Sequence, residues 1–334
     1  MKKSLTALAV MAAVSVPFAV QAEGPTVYGT IHTSVDVGLN DETTIKVDNS
    51  SRRGWALGAK GDTDLDMGGM KAIYKFELGF DGSTNTIKSF GLGVDGNGDL
   101  ELTSKTNPGY FYQRDSWVGV KGGFGQVRIG TMATMYKATG KMVDPLFTTA
   151  LEGRGSKNAL MSGFHAGNGV GKGRGTEMIS YDAPKIADMV DVNAYVQPRQ
   201  EGGETKWNYG GGAKVKAGPA TVFGVVTTDG AGEMAMKFGA KAGFGPAEVA
   251  GHFEMGDALV DAQHVFASAS FKATDALKVA DNFGTELDSG DMGFGVAAMQ
   301  KMAKKTSAYA GFGMTMPDVG DGEKTVTLGL KHKF

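Results

Sequence analysis

Hydrophobic and polar residues alternate along this chain with a period of two, segment after segment. The last segment shows it plainly: within 324–334, Val326, Leu328, Leu330 and Phe334 share one parity, and Thr325, Thr327, Lys331 and Lys333 the other. Successive side chains of a strand point to opposite faces, so the pattern predicts a strand with one apolar wall and one wet, basic wall. It reaches the terminal residue without a polar fringe. That is expected of a strand that closes a barrel, because a closed sheet in lipid leaves no edge unpaired.

The same period appears at 26–37, where Val27, Ile31, Val35 and Val37 oppose Thr30, His32, Ser34 and Asp36. Segment 52–61 sets Trp55, Leu57 and Ala59 outward against Arg52 and Lys60 inward. Segment 71–80 is the clearest, with Ala72, Tyr74, Phe76, Leu78 and Phe80 against Lys71, Lys75 and Glu77. Charges at alternate positions are intolerable in a dry sandwich core but natural where one face lines water. Further segments fall at 110–121, 124–131, 174–183, 190–197, 206–217, 220–227, 234–244, 247–255, 262–273, 277–284, 291–302, 307–316 and 324–334. The total is sixteen, an even number, as a closed antiparallel bacterial barrel requires. The fold class expected is therefore all-β, a 16-stranded antiparallel transmembrane β-barrel. Short turns such as 217–220 and 244–247 alternate with longer loops, of which 132–173 is the longest and needs a function.

Composition narrows the compartment. Residues 1–22 read as a secretory signal: Lys2 and Lys3, an apolar run broken by Pro17, and a small-residue site at Val20-Gln21-Ala22. Residues 23–334 are then one barrel domain. No later stretch approaches the roughly 18 consecutive apolar residues of a spanning helix. The chain holds 52 glycines and no cysteine, which excludes disulfides, thiolate metal sites and cysteine nucleophiles. A formal net charge of −2 is too near neutral to indicate a nucleic-acid partner. Glu177 falls on the outward parity of its segment, so either a subunit interface or a local bulge is expected there. Trp55, Tyr74, Trp117, Tyr181, Trp207 and Tyr209 share the outward parity and suit interfacial girdles.

Five blocks, in order, resemble a known family. They are LGAKGDTDL at 57–65 with GMKAIYKFE at 69–77, RDSWVGVKGGFGQVRIG at 114–130, RGTEMISYDAP at 174–184, KKTSAY at 304–309 and LGLKHKF at 328–334. Together they are similar to the Gram-negative general trimeric porins, in particular the neisserial and Burkholderia-type branch. The resemblance implies a homotrimer of barrels whose third external loop, here 132–173, bends inside to form a constriction. It implies Asp144 and Glu152 as that loop's acids, facing a basic wall of Arg114, Arg174, Lys60 and Arg52. Ala56 and Thr30 stand where the family often places basic residues, so the wall is thinned. The implied function is a general diffusion porin passing ions and small hydrophilic solutes, the alternative being a solute-specific channel for an anion or sugar. Implied partners are outer-membrane lipid with lipopolysaccharide and the barrel-assembly machinery, for which Phe334 is the family's usual signal.

No cofactor and no enzyme chemistry is expected. His32, His165, His252, His264 and His332 are scattered without ligand spacing, and no serine sits in a nucleophile elbow. Asp95 to Asp99 offers alternating oxygen ligands, but Leu100 and Thr106 replace the glycine and glutamate of a calcium loop.

Overall fold

The computed structural model describes residues 24–48, 54–80, 90–94, 100–104, 111–154, 160–259 and 262–334; the expected signal segment, Arg52 and the 95–99 turn lie outside these described residues. The chain opens with β1 (Thr26–Leu39), β2 (Thr43–Asp48), β3 (Ala56–Asp64) and β4 (Lys71–Phe80). A hairpin of β5 (Phe90–Val94) and β6 (Leu100–Ser104) stands apart from the main sheet. Then come β7 (Phe111–Gly122), β8 (Gly125–Ala133), helix α1 (Met135–Val143) and β9 (Arg174–Asp182). The chain continues through β10 (Val190–Glu201), β11 (Glu204–Ala217), β12 (Ala220–Thr228), β13 (Met234–Phe244) and β14 (Ala247–Met255). It finishes with β15 (His264–Lys272), β16 (Leu277–Glu286), β17 (Met292–Ala303), β18 (Thr306–Met316) and β19 (Lys324–Lys333).

Each barrel strand pairs antiparallel with its neighbours, and β19 returns to β1 in register from Thr30↔Lys333 to Gly38↔Thr325. The result is a closed 16-stranded barrel. One position in the ring is shared: β2 pairs with the far half of β1 and β3 with the near half. The alternation of the sequence predicts a second strand only at 52–61; the structure adds β2 at 43–48 ahead of it. Apart from the six-residue β2, barrel-strand lengths of 9 to 14 residues suit tilted strands crossing a bilayer core, which needs roughly 9–11. No helix among the described residues is long and apolar enough to cross a membrane.

The two faces separate as the alternation requires. Val118, Ile129, Phe238, Phe271 and Leu328 are exposed on the outside. His32, Ser34, Glu77, Asn208 and Thr327 are buried on the inside. An apolar exterior over a polar interior inverts the soluble pattern and is the arrangement lipid selects. Among the described residues, three bulges interrupt the pairing, at Phe76/Leu78, Gly130/Met132 and Lys301/Ala303. Between Gly130↔Met178 and Met132↔Gly175, β9 carries an extra residue, and Glu177 takes the left-handed φ of 56° there. Of the two alternatives for Glu177, a subunit interface or a bulge, the bulge is present. Trp117 departs from expectation: it pairs with Lys75 and therefore faces inward, under the guanidinium of Arg128 at 5.3 Å.

The segment between β8 and β9 folds into the barrel and covers the inner face of β12 to β19. Ser268 donates to the Val143 carbonyl at 2.6 Å, Asn282 to that of Leu151 at 2.9 Å, and Lys331 to the Thr148 hydroxyl at 3.1 Å. Glycines on β16, β17 and β18 make this approach possible. A Cβ at Gly313 would lie 2.7 Å from the Leu151 side chain, and one at Gly293 would lie 2.9 Å from Leu160.

Candidate functional site

Opposite the infolded loop, β4, β7 and β9 build a charged cluster. Lys75 and Glu77 stand two apart on β4 and so share the inner face. On β7, Phe76↔Ser116 is followed by Leu78↔Gln113, leaving Arg114 and Asp115 together in a bulge opposite Glu77. Strict alternation would send one of them into lipid; the bulge turns both inward. Arg114 Nε donates to Glu77. Lys75 Nζ lies 2.6 Å from one Asp115 oxygen and Arg174 Nε 2.7 Å from the other. Tyr28 donates its hydroxyl to Glu77 at 2.8 Å, and Lys60 sits 5.7 Å from the Tyr28 ring centroid. The structure thus brings Arg114, Arg174 and Lys60 to one wall, but with Glu77 and Asp115 set among them.

The loop acids are placed differently from the expectation. Asp144 is 3% exposed, and its carboxylate accepts from Leu146 N at 2.9 Å, Gly153 N at 2.8 Å and Asn282 Nδ2 at 3.2 Å. Burial pushes its carboxyl up to about 6, against those donors. Glu152 accepts from Thr148 N and Arg154 Nε, both at 2.9 Å. Both carboxylates are turned into the loop, where they satisfy backbone N–H groups that would otherwise be buried without partners.

Cations face the wall in their place. Helix α1 starts at Thr134, whose hydroxyl accepts from Lys137 N, capping a donor that the helix cannot satisfy. Lys137 and Lys141 follow at i and i+4 and share a face. Neither has a carboxylate partner among the described residues. Burial, then the guanidinium groups of Arg174, Arg154 and Arg114, hold the Lys137 ammonium down to about 6. Burial and the fields of Lys333, Arg114 and Lys75 lower Lys141 as well. The Arg154 guanidinium stacks 4.3 Å from the Phe147 centroid. A space of about 740 Å³ opens between Met135 and Ala138 of α1 and the wall residues Lys71, Lys121, Arg128 and Asp182. The loop presents two lysines whose charge burial disfavours, and the wall is mixed.

Asp115, Lys137 and Lys141 were not singled out as site residues from the sequence. The paired lysines carried a signal in their spacing of four, which needs the helix to be recognised. Asp115 carried none, because a bulge leaves no trace in composition.

The family model described as Gram-negative porin matches residues 6–318. The major outer membrane protein P.IB of Neisseria meningitidis is 33% identical over 147 residues, which is 42% of this chain and 36% of that protein. The P.IB of Neisseria lactamica is 32% identical over 147 residues, 43% and 37% of the two chains. The matched stretch therefore spans little more than a third of these relatives. Among solved structures, an anion-selective porin from Comamonas acidovorans has a TM-score of 0.70 at 19% identity, covering 93% of this chain and all of that one. Salmonella typhi OmpF, in complex with daunomycin, has a TM-score of 0.69 at 11% identity, covering 93% and 98%. These structural likenesses concern the fold, and it is the family match along most of the sequence that makes this chain a member of the Gram-negative porin family.

Proposed function

We propose that the barrel is an outer-membrane diffusion channel, passing ions and small hydrophilic solutes passively with a preference for anions. One observation carries the reading: the infolded loop presents Lys141, joined by Lys137 as pH falls through about 6, to a wall where Arg114, Arg174 and Lys75 outnumber Glu77 and Asp115. Fixed charges at a narrow aqueous neck screen ions by sign, more strongly where low-dielectric walls confine the field. Arg114 and Arg174 supply charge that pH does not remove. Asp144 and Glu152 act on the neck through the shape of the loop. The channel needs no cofactor and performs no catalytic step.

Assembly as a homotrimer within lipid and lipopolysaccharide, delivered by the barrel-assembly machinery, belongs to the same reading. Its support is family membership, together with a Vibrio cholerae OmpT structure titled as a trimer form, which has a TM-score of 0.63 at 13% identity. Planar-bilayer recording under a salt gradient tests the function. The expected reversal potential favours anions, and Lys137→Glu with Lys141→Glu moves it towards cations. A wild-type channel selective for cations would overturn the proposal. Conductance that saturates with one anion or sugar would assign the same cations to a solute-specific channel instead.

A further inference from the structure

Beneath the loop, β13 and β14 carry a second cluster that the channel reading does not use. His252 and Glu254 stand two apart on the inner face of β14, and Lys237 is the cross-strand partner of Glu254 on β13. The loop adds Tyr136 from α1, Ser162, and His165 from a 3-10 turn at Gly163–His165. Exposure is 1% at His165, 5% at His252 and 0% at Glu254. The sequence hides this set, because only the His-x-Glu spacing on β14 is local and the second imidazole arrives from a distant loop.

The geometry is that of a donor set. Glu254 Oε1 lies 2.8 Å from His252 Nε2 and 3.7 Å from His165 Nε2. One ligand atom from each of the three residues falls within 4.8 Å of the others. His165 Nδ1 is 3.0 Å from the Ser162 carbonyl; it must carry its hydrogen there, which leaves the Nε2 lone pair directed at the cluster. Glu254 Oε2 accepts from the Tyr136 hydroxyl at 2.7 Å and from the Ser162 hydroxyl. These contacts fix the carboxylate and aim Oε1 between the imidazoles. Glu254 Oε1 and His252 Nε2 have at most each other, at 2.8 Å, and His252 Nδ1 has no hydrogen bond, although all are buried. Buried polar atoms left unpaired call for a partner.

We propose that His165, His252 and Glu254 form a binding site for a zinc-type divalent metal that fastens the infolded loop to the barrel wall. Two imidazoles and a carboxylate are a zinc-type donor set, and bonds of about 2.0–2.2 Å require only a modest contraction. The Ser162 carbonyl and the Tyr136 and Ser162 hydroxyls supply the outer contacts that orient such ligands. Complete burial makes the site structural. Lys237 is its internal competitor: its ammonium lies 2.9 Å from His165 Nε2 and also donates to the Tyr136 carbonyl. A metal displaces it onto the Tyr136 ring, whose centroid is already 4.1 Å away.

Cobalt titration of the refolded, chelator-stripped protein tests this, read by the visible d–d absorption of tetrahedral Co2+ and by calorimetric stoichiometry, with Zn2+ as the displacing ion. Wild type should take up one Co2+ per chain, and His332→Ala should match it. Ser162→Ala should weaken uptake about 10–100-fold, the usual cost of an outer contact. His252→Ala and Glu254→Gln should weaken it further. Lys237→Met should bind several-fold more tightly, because the competing ammonium is gone. This last variant decides the matter if His252→Ala fails to fold. Wild-type uptake no greater than that of His252→Ala, or no tightening in Lys237→Met, would overturn the proposal. Conductance is not the readout, so failure here leaves the channel reading standing.

Discussion

The ring of Phe334 lies against the backbone of Gly29, where an added Cβ would come within 2.2 Å of its tip. The same two residues exchange backbone hydrogen bonds of 3.2 and 3.3 Å across the barrel seam. A residue with a side chain would displace the ring from that point. Gly29→Val should therefore push the half-exposed ring off the seam, at less than the about 1–3 kcal/mol of overpacking a closed core because the ring can swing aside. Deleting Phe334 should lower the yield of inserted protein. Urea titration with heat-modifiable gel mobility reads the first effect and outer-membrane fractionation the second. Normal membrane levels of the truncated chain would argue against an assembly role for the terminal ring.

Arg114 and Lys60 should not be equivalent. Arg114 neutralises Glu77, whereas Lys60 is exposed and stands by the Tyr28 ring. Arg114→Ala removes one cation and leaves a wall carboxylate without its guanidinium. The reversal potential should shift towards cations by more than in Lys60→Ala. Equal shifts would mean that Glu77 has no influence on passing ions.

Lys137 gives the neck a pH response. Its folded-state value of about 6 lies below the ordinary 10.5, so between these values the unfolded chain binds more protons and stability rises with pH. In the channel, Lys137 gains its charge as pH falls through about 6, which adds a cation facing Arg114 and Arg174. Anion preference should increase across that range in wild type and stay nearly flat in Lys137→Met. A response that persists in the variant would assign the titration to another group.

Asp144 should matter through the loop. Asp144→Ala leaves the N–H groups of Leu146 and Gly153 without their acceptor, at about 1–3 kcal/mol for each buried group left unpaired. Its raised value of about 6, above the ordinary 3.8, runs opposite to that of a salt-bridged acid. The folded state binds more protons across that interval, so its contribution to stability falls as pH rises from 3.8 to about 6. Protease nicking of the loop in otherwise folded barrels measures the loosening. Wild-type resistance in Asp144→Ala would show that the loop holds without it.

The barrel was legible because lipid enforces a period of two, and nearly every strand from 71–80 onward obeys it. The inner wall was legible as far as alternation held, which found Lys60 and Glu77, while Arg114 and Arg174 came from the family resemblance. It failed at Asp115 and Trp117, where a bulge reverses parity for one residue and pairing across strands decides the rest. The loop was harder. Asp144 and Glu152 look like lumen acids in a polar segment, yet backbone amides inside the loop claim them first. Lys137 and Lys141 needed a helix that nothing in a Gly- and Thr-containing stretch announces. His165 joins His252 only through tertiary contact.

The seam joins residues at opposite ends of the chain: Thr30 meets Lys333, and Val37 meets Val326. Contacts so remote in sequence carry the largest loop-closure cost and form late. No shorter circuit is available, since a ring lacking its last strand exposes two unpaired edges to hydrocarbon. Truncated or stalled chains therefore should not persist as smaller pores. The wall is therefore sealed by a single pairing, β19 on β1, and every other contact of the ring depends on it for closure.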